Sequence, residues 1–377
     1  MNNPKLTIIL PSLNVGDYIA ECLQSACDQT LKDIEIICVD AGSTDGTLEV
    51  IEAFAAKDAR VKLIRSDRKS YGYQVNLGLA EAAGAYVAIL ETDDYVKPNM
   101  YERLTTLADE TGVDYVKGEF DQISKDETGA IKATPISMMT DPSMYGRVLD
   151  SDDLAKLYEE DHCIWKGVYR RTFLKENHIR LNESEGAAYQ DIGFSAQVLS
   201  MAQSAYYITE PLYEYRIGRE GASTRNTQTY WFVEQEAAWL KAQGILEKAS
   251  PIHQKAMQEY MENAYAYEKK LSTLNSWFLE LSQKKGMQIV VFGAGVRGED
   301  FALRAKSWGI NISCFIDNSP ELQETKKLGL DVISLSACME KYPDALYVIA
   351  NKNHAEEIKK QLAKAGIDQP RVQEYLP

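Results

Sequence analysis

The chain has 377 residues, of which 45% are hydrophobic and 26% are charged, so it is long enough for two or three globular domains. Its formal net charge of −15 argues against a general nucleic-acid-binding protein. No apolar run is long enough to cross a membrane, no signal peptide is evident, and the 6 cysteines lack metal-type spacing. We therefore expect a cytoplasmic protein, whose attachment to the inner face of a membrane would have to be peripheral; its oligomeric state is left open.

The first hundred residues alternate between strand and helix patterns. Strands are predicted at residues 6–10, 34–39, 61–64 and 86–90, and helices from residue 18, from residue 47 and over residues 75–83. This alternation predicts an α/β fold with a doubly wound, mostly parallel sheet.

Each of these four strands is followed by polar residues. They are Ser12 and Asn14, then Asp40, then Arg65 and Asp67, then Glu91, Asp93 and Asp94. Open α/β sheets bind ligands outside the carboxyl ends of their strands. The sequence therefore predicts a ligand site at this edge.

The fourth strand carries the most informative motif, YVAILETDDY at residues 86–95. Glu91, Asp93 and Asp94, called the acid cluster below, place three carboxylates within four residues. Their mutual repulsion must be relieved by a cation or by protonation. Hard oxygen ligands suit Mg²⁺ or Mn²⁺, which commonly partner phosphates. The motif predicts a divalent ion held against a nucleoside diphosphate.

Four motifs together resemble glycosyltransferase family 2, which has the GT-A fold. They are PSLNVGDYI, VDAGSTDGT, NLGLAEAAGAYVAILETDDY and YQDIGF, and the resemblance covers roughly residues 4–225. It implies that a sugar moves from a nucleoside-diphosphate sugar, most simply a UDP-sugar, to an acceptor hydroxyl with inversion. The acceptor class it implies is a bacterial surface glycan, a lipid-linked saccharide or a glycoprotein.

The resemblance also assigns roles to particular residues. Asp93 and Asp94 are the implied metal ligands, and Asp40 is the implied acceptor from the base. The implied donor-binding residues are Pro11, Leu13, Asn14, Asp40, Gly72, Asn76, Glu91, Thr92, Asp93 and Arg216. Leu13 stands where many relatives have Tyr, and Glu91 replaces the first Asp of the acid triplet, so base stacking and direct metal ligation by Glu91 are put in question.

Asp191 in YQDIGF is the candidate catalytic base, because an acceptor hydroxyl is a poor nucleophile until a carboxylate takes its proton. The apolar spacing after Asp191 predicts a helix, which would fix it at a helix N-terminus. The structural alternative is that Asp191 is only an N-cap.

Three further segments complete the first part of the chain. Residues 121–150 lack periodicity and are predicted to be a loop insertion on the acceptor side. A basic loop after Arg216, containing Arg219, Ser223, Thr224 and Arg225, is a candidate for closing over the diphosphate. Residues 228–285 show helical spacing.

The last part of the chain begins with a strand, a glycine motif and a helix. Gly293, Gly295 and Gly298 have G-x-G-x-x-G spacing, and Asp317 follows about 20 residues later, as a dinucleotide site would need. About 90 residues make only half of a full dinucleotide-binding fold. A small Rossmann-like domain with a nucleotide is predicted, and a purely structural use of the glycines is the alternative.

We therefore predict a GT-A catalytic domain at residues 1–227, a helical connector at 228–285 and a small Rossmann-like α/β domain at 286–377. The predicted function is that of a metal-dependent glycosyltransferase. Two other classes are kept open: a nucleotide-binding regulatory or scaffolding protein with a degenerate transferase domain, and an NAD-dependent enzyme that uses the glycine motif.

Overall fold

The structure is a computed structural model that describes residues 3–125, 130–217, 229–284 and 286–375. The chain divides into two units, one comprising Met1–Arg225 and Thr229–Ala266 and the other comprising Asn226–Gln228 and Tyr267–Pro377. None of the helices in these described ranges is both long and apolar enough to cross a membrane.

Within the described residues, the first unit contains one mixed sheet of ten strands. The strands are β1 (Leu6–Ser12), β2 (Ile34–Asp40), β3 (Val61–Arg65), β4 (Tyr86–Ile89), β5 (Tyr95–Val96), β6 (Tyr115–Lys125), β7 (Ile131–Ile136), β8 (Val148–Asp150), β9 (Gly167–Arg170) and β10 (Ser204–Arg216). Their order is β3-β2-β1-β4-β9-β6-β10-β5, with β7 added to β6 and β8 added to β10. Strands β1 to β4 pair in parallel, which confirms the predicted α/β fold class.

Helices cover both faces of this sheet. They are α1 (Ile19–Cys27), α2 (Thr47–Ala55), α3 (Tyr71–Glu81), α4 (Met100–Thr111), α5 (Ser151–Leu154), α6 (Arg171–Glu176), α7 (Gln190–Met201), α8 (Thr229–Ala242), α9 (Ile245–Lys248) and α10 (Pro251–Gln283), the last shared by both units. Alternate residues of a strand enter different cores: Ile8 packs with residues of α1 and α4, whereas Ile9 packs with residues of α3 and α7. Burial on both faces explains why β1 and β2 read as continuous apolar runs.

Two segments differ from the sequence expectation. Helix α3 begins at Tyr71, four residues before the predicted start, with Ser70 as its N-cap. The stretch from 121 to 150 is not a loop insertion, because β6 continues through Lys125, β7 pairs with it in antiparallel fashion, and β8 pairs with β10. Strand β7 is exposed along almost its whole length, so no apolar alternation marks it in the sequence.

The described part of the second unit forms a six-stranded sheet of order β13-β14-β12-β11-β15-β16. Its elements are β11 (Ile289–Phe292), α11 (Val296–Ser307), β12 (Ile312–Ile316), β13 (Lys326–Lys327), β14 (Leu330–Ile333), α12 (Leu335–Lys341), β15 (Leu346–Ile349), α13 (Ala355–Lys364) and β16 (Val372–Glu374). All strand pairs are parallel except β13 with β14. The unit thus forms a second, smaller sheet with helices packed on both faces.

Candidate active site

The carboxyl ends of β1 and β2 lie side by side, and the register pairs Ser12 with Asp40. The carboxylate of Asp40 is buried and accepts four hydrogen bonds. Its donors are the Ser12 hydroxyl at 2.9 Å, the Ser43 hydroxyl at 2.6 Å and the main-chain N–H groups of Gly42 and Ser43 at 2.9 and 2.8 Å. These bonds fill the usual acceptor capacity of a carboxylate. Reading a base through Asp40, which stays a prediction, would require exchange of one hydroxyl bond.

Two loops are joined at this edge by Asn14. Asn14 has a left-handed backbone with φ of 53°, its main-chain N–H donates to the Ser43 hydroxyl at 2.8 Å, and its side-chain carbonyl accepts from the Thr44 N–H at 2.9 Å. Asn tolerates this conformation better than most residues. Asn14 therefore fixes the loop that carries Leu13, which is partly exposed at the same edge.

Thr92 connects β1 to the acid cluster. Its hydroxyl is buried and donates to the Pro11 carbonyl at 2.8 Å. Both residues are therefore positioned beneath the edge, and their predicted contact with the nucleotide is untested.

The acid cluster follows the end of β4, and two of its carboxyl groups, Glu91 and Asp94, have raised pKa values. Burial raises the pKa of Glu91 to about 8, and the charges of Asp93 and Asp94 add to this rise. Burial also raises the pKa of Asp94 to about 8, with Asp93 as the next contributor. Two carboxylates that resist ionisation in this way are stabilised as anions when a cation binds next to them.

Two tyrosines and one backbone group support these acids. The Tyr71 hydroxyl, at the start of α3, donates to Glu91. The Tyr213 hydroxyl, on β10, donates to Asp94 at 2.8 Å, and the main-chain N–H of Arg216 donates to the other oxygen of Asp94 at 2.7 Å. These donors orient Glu91 and Asp94 without adding a neutralising side-chain charge.

The guanidinium of Arg216 is directed to a different partner. It pairs with Glu21 at 2.8 Å and lies over the rings of Tyr18 and Tyr95, with 4.9 and 5.2 Å to the ring centroids. Arg216, the last residue of β10, thus lies at the rim of the acid cluster, but its charge is shared with Glu21, and its contact with a diphosphate stays a prediction. The predicted basic loop with Arg219, Ser223, Thr224 and Arg225 lies outside the described residues.

Asp191 faces the same region from the first turn of α7. Burial raises the pKa of Asp191, and the charge of His162 offsets part of this rise. The charge of Asp191 in turn contributes to the raised pKa values of Glu91 and Tyr71, so the structure brings Asp191 within electrostatic reach of the acid cluster. The N-cap alternative is wrong, because the N-cap residue is Tyr189 and Asp191 is the second residue of the helix.

Gly72 and Asn76, which are predicted to bind the donor, contact the segment at residues 181–182. A Cβ at Gly72 would lie 1.8 Å from the Asn182 carbonyl oxygen, so the glycine allows close packing of α3 against residues 181–182. The Asn76 amide donates to the Leu181 carbonyl at 2.9 Å, and its carbonyl accepts from the Leu181 N–H at 2.9 Å. Both residues hold this segment in place, and their predicted role at the donor site stays a prediction.

Glu236, on α8, is a buried acid that sequence reasoning missed. Burial raises its pKa to about 8, and the charge of Asp191 contributes to the rise. One of its oxygens accepts from the Asn182 amide at 2.9 Å, while the other is buried and has no hydrogen-bond partner among the described residues. A glutamate within a helical pattern gives no signal of such burial, because the contact comes from Gly193 on α7.

In the glycine motif of the second unit, close packing and backbone conformation require glycine at two of the three positions. A Cβ at Gly298 would lie 1.9 Å from the Gly293 carbonyl oxygen, and Gly293 has φ of 113°, whereas Gly295 faces open space. The carboxylate of Asp317 accepts from the main-chain N–H groups of Ala294 and Ser319, each at 2.9 Å. Asp317 therefore stabilises the glycine loop itself, and a nucleotide there stays a prediction.

The acid cluster suits a divalent cation that is shared with a substrate, and it does not form a closed metal site made of protein ligands alone. Among the residues that the structure describes, no group of three or more His, Cys, Asp or Glu side chains is arranged to hold a metal. Mg²⁺ is usually bound by one or two carboxylates together with substrate phosphates. Asp93 and Asp94, crowded beside Glu91, could supply that part of the coordination.

Comparisons with known proteins agree with this geometry. The model of the family Glycosyl transferase family 2 matches residues 7–176, and that of the family C2185-like, N-terminal matches residues 285–373. The chain is 31% identical over 248 residues to the uncharacterized glycosyltransferase YibD of Escherichia coli, covering 65% of this chain and 70% of the relative. It is 30% identical over 215 residues to the uncharacterized glycosyltransferase EpsJ of Bacillus subtilis, covering 56% of this chain and 61% of the relative.

Solved structures share the fold. The crystal structure of S. aureus TarS residues 1–349 in complex with UDP-GlcNAc matches with a TM-score of 0.55 and 19% identity, covering 74% of this chain and 80% of that chain. The longer TarS structure matches with a TM-score of 0.53, and only 48% of it is covered. Taking the family model with the Escherichia coli relative, the chain belongs to glycosyltransferase family 2.

Proposed function

We propose that the chain transfers a sugar from a UDP-sugar to an acceptor hydroxyl, with inversion at the anomeric carbon and with Mn²⁺ or Mg²⁺. The observation that carries the proposal is the combination of acid cluster and Asp191. Burial raises the pKa values of Glu91 and Asp94, so these two carboxyl groups resist ionisation until a cation arrives, and Asp191, whose pKa is also raised, lies within electrostatic reach of Glu91.

The nucleotide is proposed to lie across the carboxyl ends of β1 and β2. Leu13 would contact the base, and Asp40, once one hydroxyl bond is exchanged, would accept from its imide. The divalent ion would supply Lewis-acid stabilisation of the charge that develops on the departing diphosphate. Asp93 and Asp94 would hold that ion, and the hydrogen bond from the Tyr213 hydroxyl would fix the orientation of Asp94.

Asp191 is proposed to take the proton of the acceptor hydroxyl. A base works best when its pKa is near the working pH, and burial shifts Asp191 in that direction. His162, whose charge offsets part of this shift, would limit how far the pKa rises. Attack from the side opposite the diphosphate produces inversion.

The donor and the acceptor are proposed at the level of chemical class. A UDP-sugar is proposed because Asp40 suits an imide, and the TarS fragment with the same fold is described with UDP-GlcNAc. The acceptor is proposed to be a bacterial surface glycan, a lipid-linked saccharide or a glycoprotein. For the second unit, the contacts of Asp317 weigh against an NAD-dependent reaction, which calorimetry with NAD would test.

The test is release of UDP from a panel of UDP-sugars in the presence of Mn²⁺. Asp191→Asn is expected to lower turnover by about 10²- to 10⁴-fold, the usual contribution of a general base, while UDP binding is unchanged. Glu185→Gln, which removes an exposed carboxylate from the segment before α7, is the matched control and should retain turnover. Full turnover in Asp191→Asn would remove this residue from the mechanism.

A further inference from the structure

A cavity lies in the first unit, near the end of α3 that is distant from Tyr71. Its volume is about 550 Å³, and it is lined by the last residues of α3, by α6 and the turn after it, by Gln197 of α7, and by residues around α9. Small-molecule sites in proteins commonly have volumes of about 300–1,000 Å³. The cavity is therefore large enough for a sugar phosphate or a nucleotide.

Helix α3 separates this cavity from the active site. Tyr71, at the start of the helix, contacts Glu91, whereas Leu79 and Ala82, at its other end, line the cavity. Eight to eleven residues of helix span about 12–17 Å. The cavity is thus a distinct feature and not an extension of the donor site.

All the charged residues that line the cavity are basic. It contains Arg171, Lys175, Arg180, Lys248 and His178, and it contains no Asp or Glu. This is unexpected in a chain with a net charge of −15. Like charges brought together at low ionic strength repel each other unless an anion is present.

The residues that the structure describes offer no carboxylate partner to the four Lys and Arg side chains of the cavity. No ion pair among the described residues involves any of them. Arg171 donates to the Gly84 carbonyl, Arg180 to the Gln243 side-chain carbonyl at 2.8 Å, and Lys248 to the Gln243 main-chain carbonyl at 3.4 Å. These neutral acceptors hold Arg180 and Lys248 near each other at the exposed edge of the cavity.

The histidine of the cavity gives a second, independent observation. His178 has φ of 54° and directly follows the C-cap of α6, where its N–H donates to the Lys175 carbonyl and the N–H of Ile179 donates to the Leu174 carbonyl. Glycine is the favoured residue at this position of a helix-ending motif. A non-glycine residue in the left-handed region is strained, and such residues are often found at ligand sites.

We propose that this cavity binds a phosphate-bearing anion, of the size of a sugar phosphate or nucleotide, at a site separate from the donor site. Arg171 and Arg180 supply planar donor groups that suit phosphate oxygens, Lys175 and Lys248 supply point charges, and His178 supplies a ring donor. The proposal does not depend on the transferase reaction.

The experiment measures binding of inorganic pyrophosphate to the full chain in EDTA, because without metal the acid cluster repels an anion. The pocket variant is Lys175→Ala with Lys248→Ala; the matched control is Lys32→Ala with Lys57→Ala, two exposed lysines that also lack an ion pair and lie outside the lining. Loss of two charge-assisted contacts is expected to weaken binding by about tenfold or more relative to wild type and control.

Thermal unfolding without pyrophosphate checks that both double variants remain folded. A second arm measures cosedimentation with vesicles that contain phosphatidic acid. Pyrophosphate binding that is weakened in the pocket variant and retained in the control identifies a soluble phosphate ligand, and vesicle binding lost only in the pocket variant identifies a lipid headgroup; both support the proposal. Absence of binding in both arms, or equal binding by the two double variants, would overturn it, whatever the result of the UDP-release assay.

Discussion

Two groups of buried acids in the first unit differ in how their charge is balanced. The acid cluster is one; the other is a buried ion network formed by Lys117, Glu119, Asp161 and Lys166. In the network, Lys117 donates to both oxygens of Asp161 at 2.8 Å, and Lys166 pairs with Glu119 at 3.3 Å. Every carboxylate in the network has a lysine from the same chain.

Asp161 and Asp94 are buried to the same degree, yet their pKa values shift in opposite directions. Asp161 is fully buried, which would raise its pKa, but the charges of Lys117 and Lys166 hold that pKa below its ordinary value. Asp94 is equally buried, and its pKa rises to about 8. The difference follows from the neighbouring charges: two lysines face Asp161, whereas Asp93 adds a like charge beside Asp94 that Arg216 offsets only in part. A cation arriving with the donor would favour the ionised form of Asp94.

The largest effect on stability is expected from breaking the ion network. Asp161→Ala should lower the free energy of unfolding by about 3–5 kcal/mol, because Lys117 would remain buried without its partner. Urea denaturation measures the change. Glu52→Ala removes one member of an exposed pair with Arg65 and should cost no more than about 1 kcal/mol. Equal losses in the two variants would show that the network is not stabilised by its internal pairing.

The next effect concerns Glu236 and depends on pH. Because its pKa is raised from 4.5 to about 8, the folded state binds more protons than the unfolded state between these values. The free energy of unfolding should therefore fall as the pH rises through this window, and Glu236 should contribute on the order of 2 kcal/mol to the fall.

Glu236→Gln removes that contribution. Urea denaturation at pH 5.5 and pH 8.5 should show wild type losing stability relative to the variant as the pH rises. A wild type that gains on the variant over this range would contradict the assignment.

The smallest effect is expected at the acid cluster without metal. Asp93 raises the pKa of both Glu91 and Asp94, so Asp93→Asn should relieve repulsion and increase the free energy of unfolding by about 1 kcal/mol in EDTA. Asp344→Asn, an exposed aspartate of the second unit, serves as the control and should change stability by less than about 0.5 kcal/mol. A destabilised Asp93→Asn would mean that repulsion is not the dominant interaction of this side chain.

Much of this comparison could be read from the sequence, because the strands that carry the acid cluster and Asp40 are short apolar runs ending in acids. Their carboxyl ends meet because parallel strands share an edge. The alternating β–α pattern likewise predicted that the first four strands are parallel, as the structure has them. These features depend on local pattern alone.

The rest depends on contacts between residues that are distant in sequence. Tyr213 reaches Asp94 across 119 positions, and Glu236 contacts Asn182 across 54 positions, so no local motif predicts either contact. Asn76, predicted at the donor site from its place in a motif, also donates to the Leu181 carbonyl, 105 positions away. Spacing identified the strands and the acids, whereas the partners of the acids required the fold.

The central claim is that the acid cluster binds a cation together with the nucleotide. Calorimetric titration of UDP, with and without Mn²⁺, into wild type and Asp93→Asn tests it most directly. We predict that Mn²⁺ tightens UDP binding to wild type by about tenfold or more and leaves the variant almost unchanged. The same Kd for UDP in wild type with and without Mn²⁺ would contradict the claim.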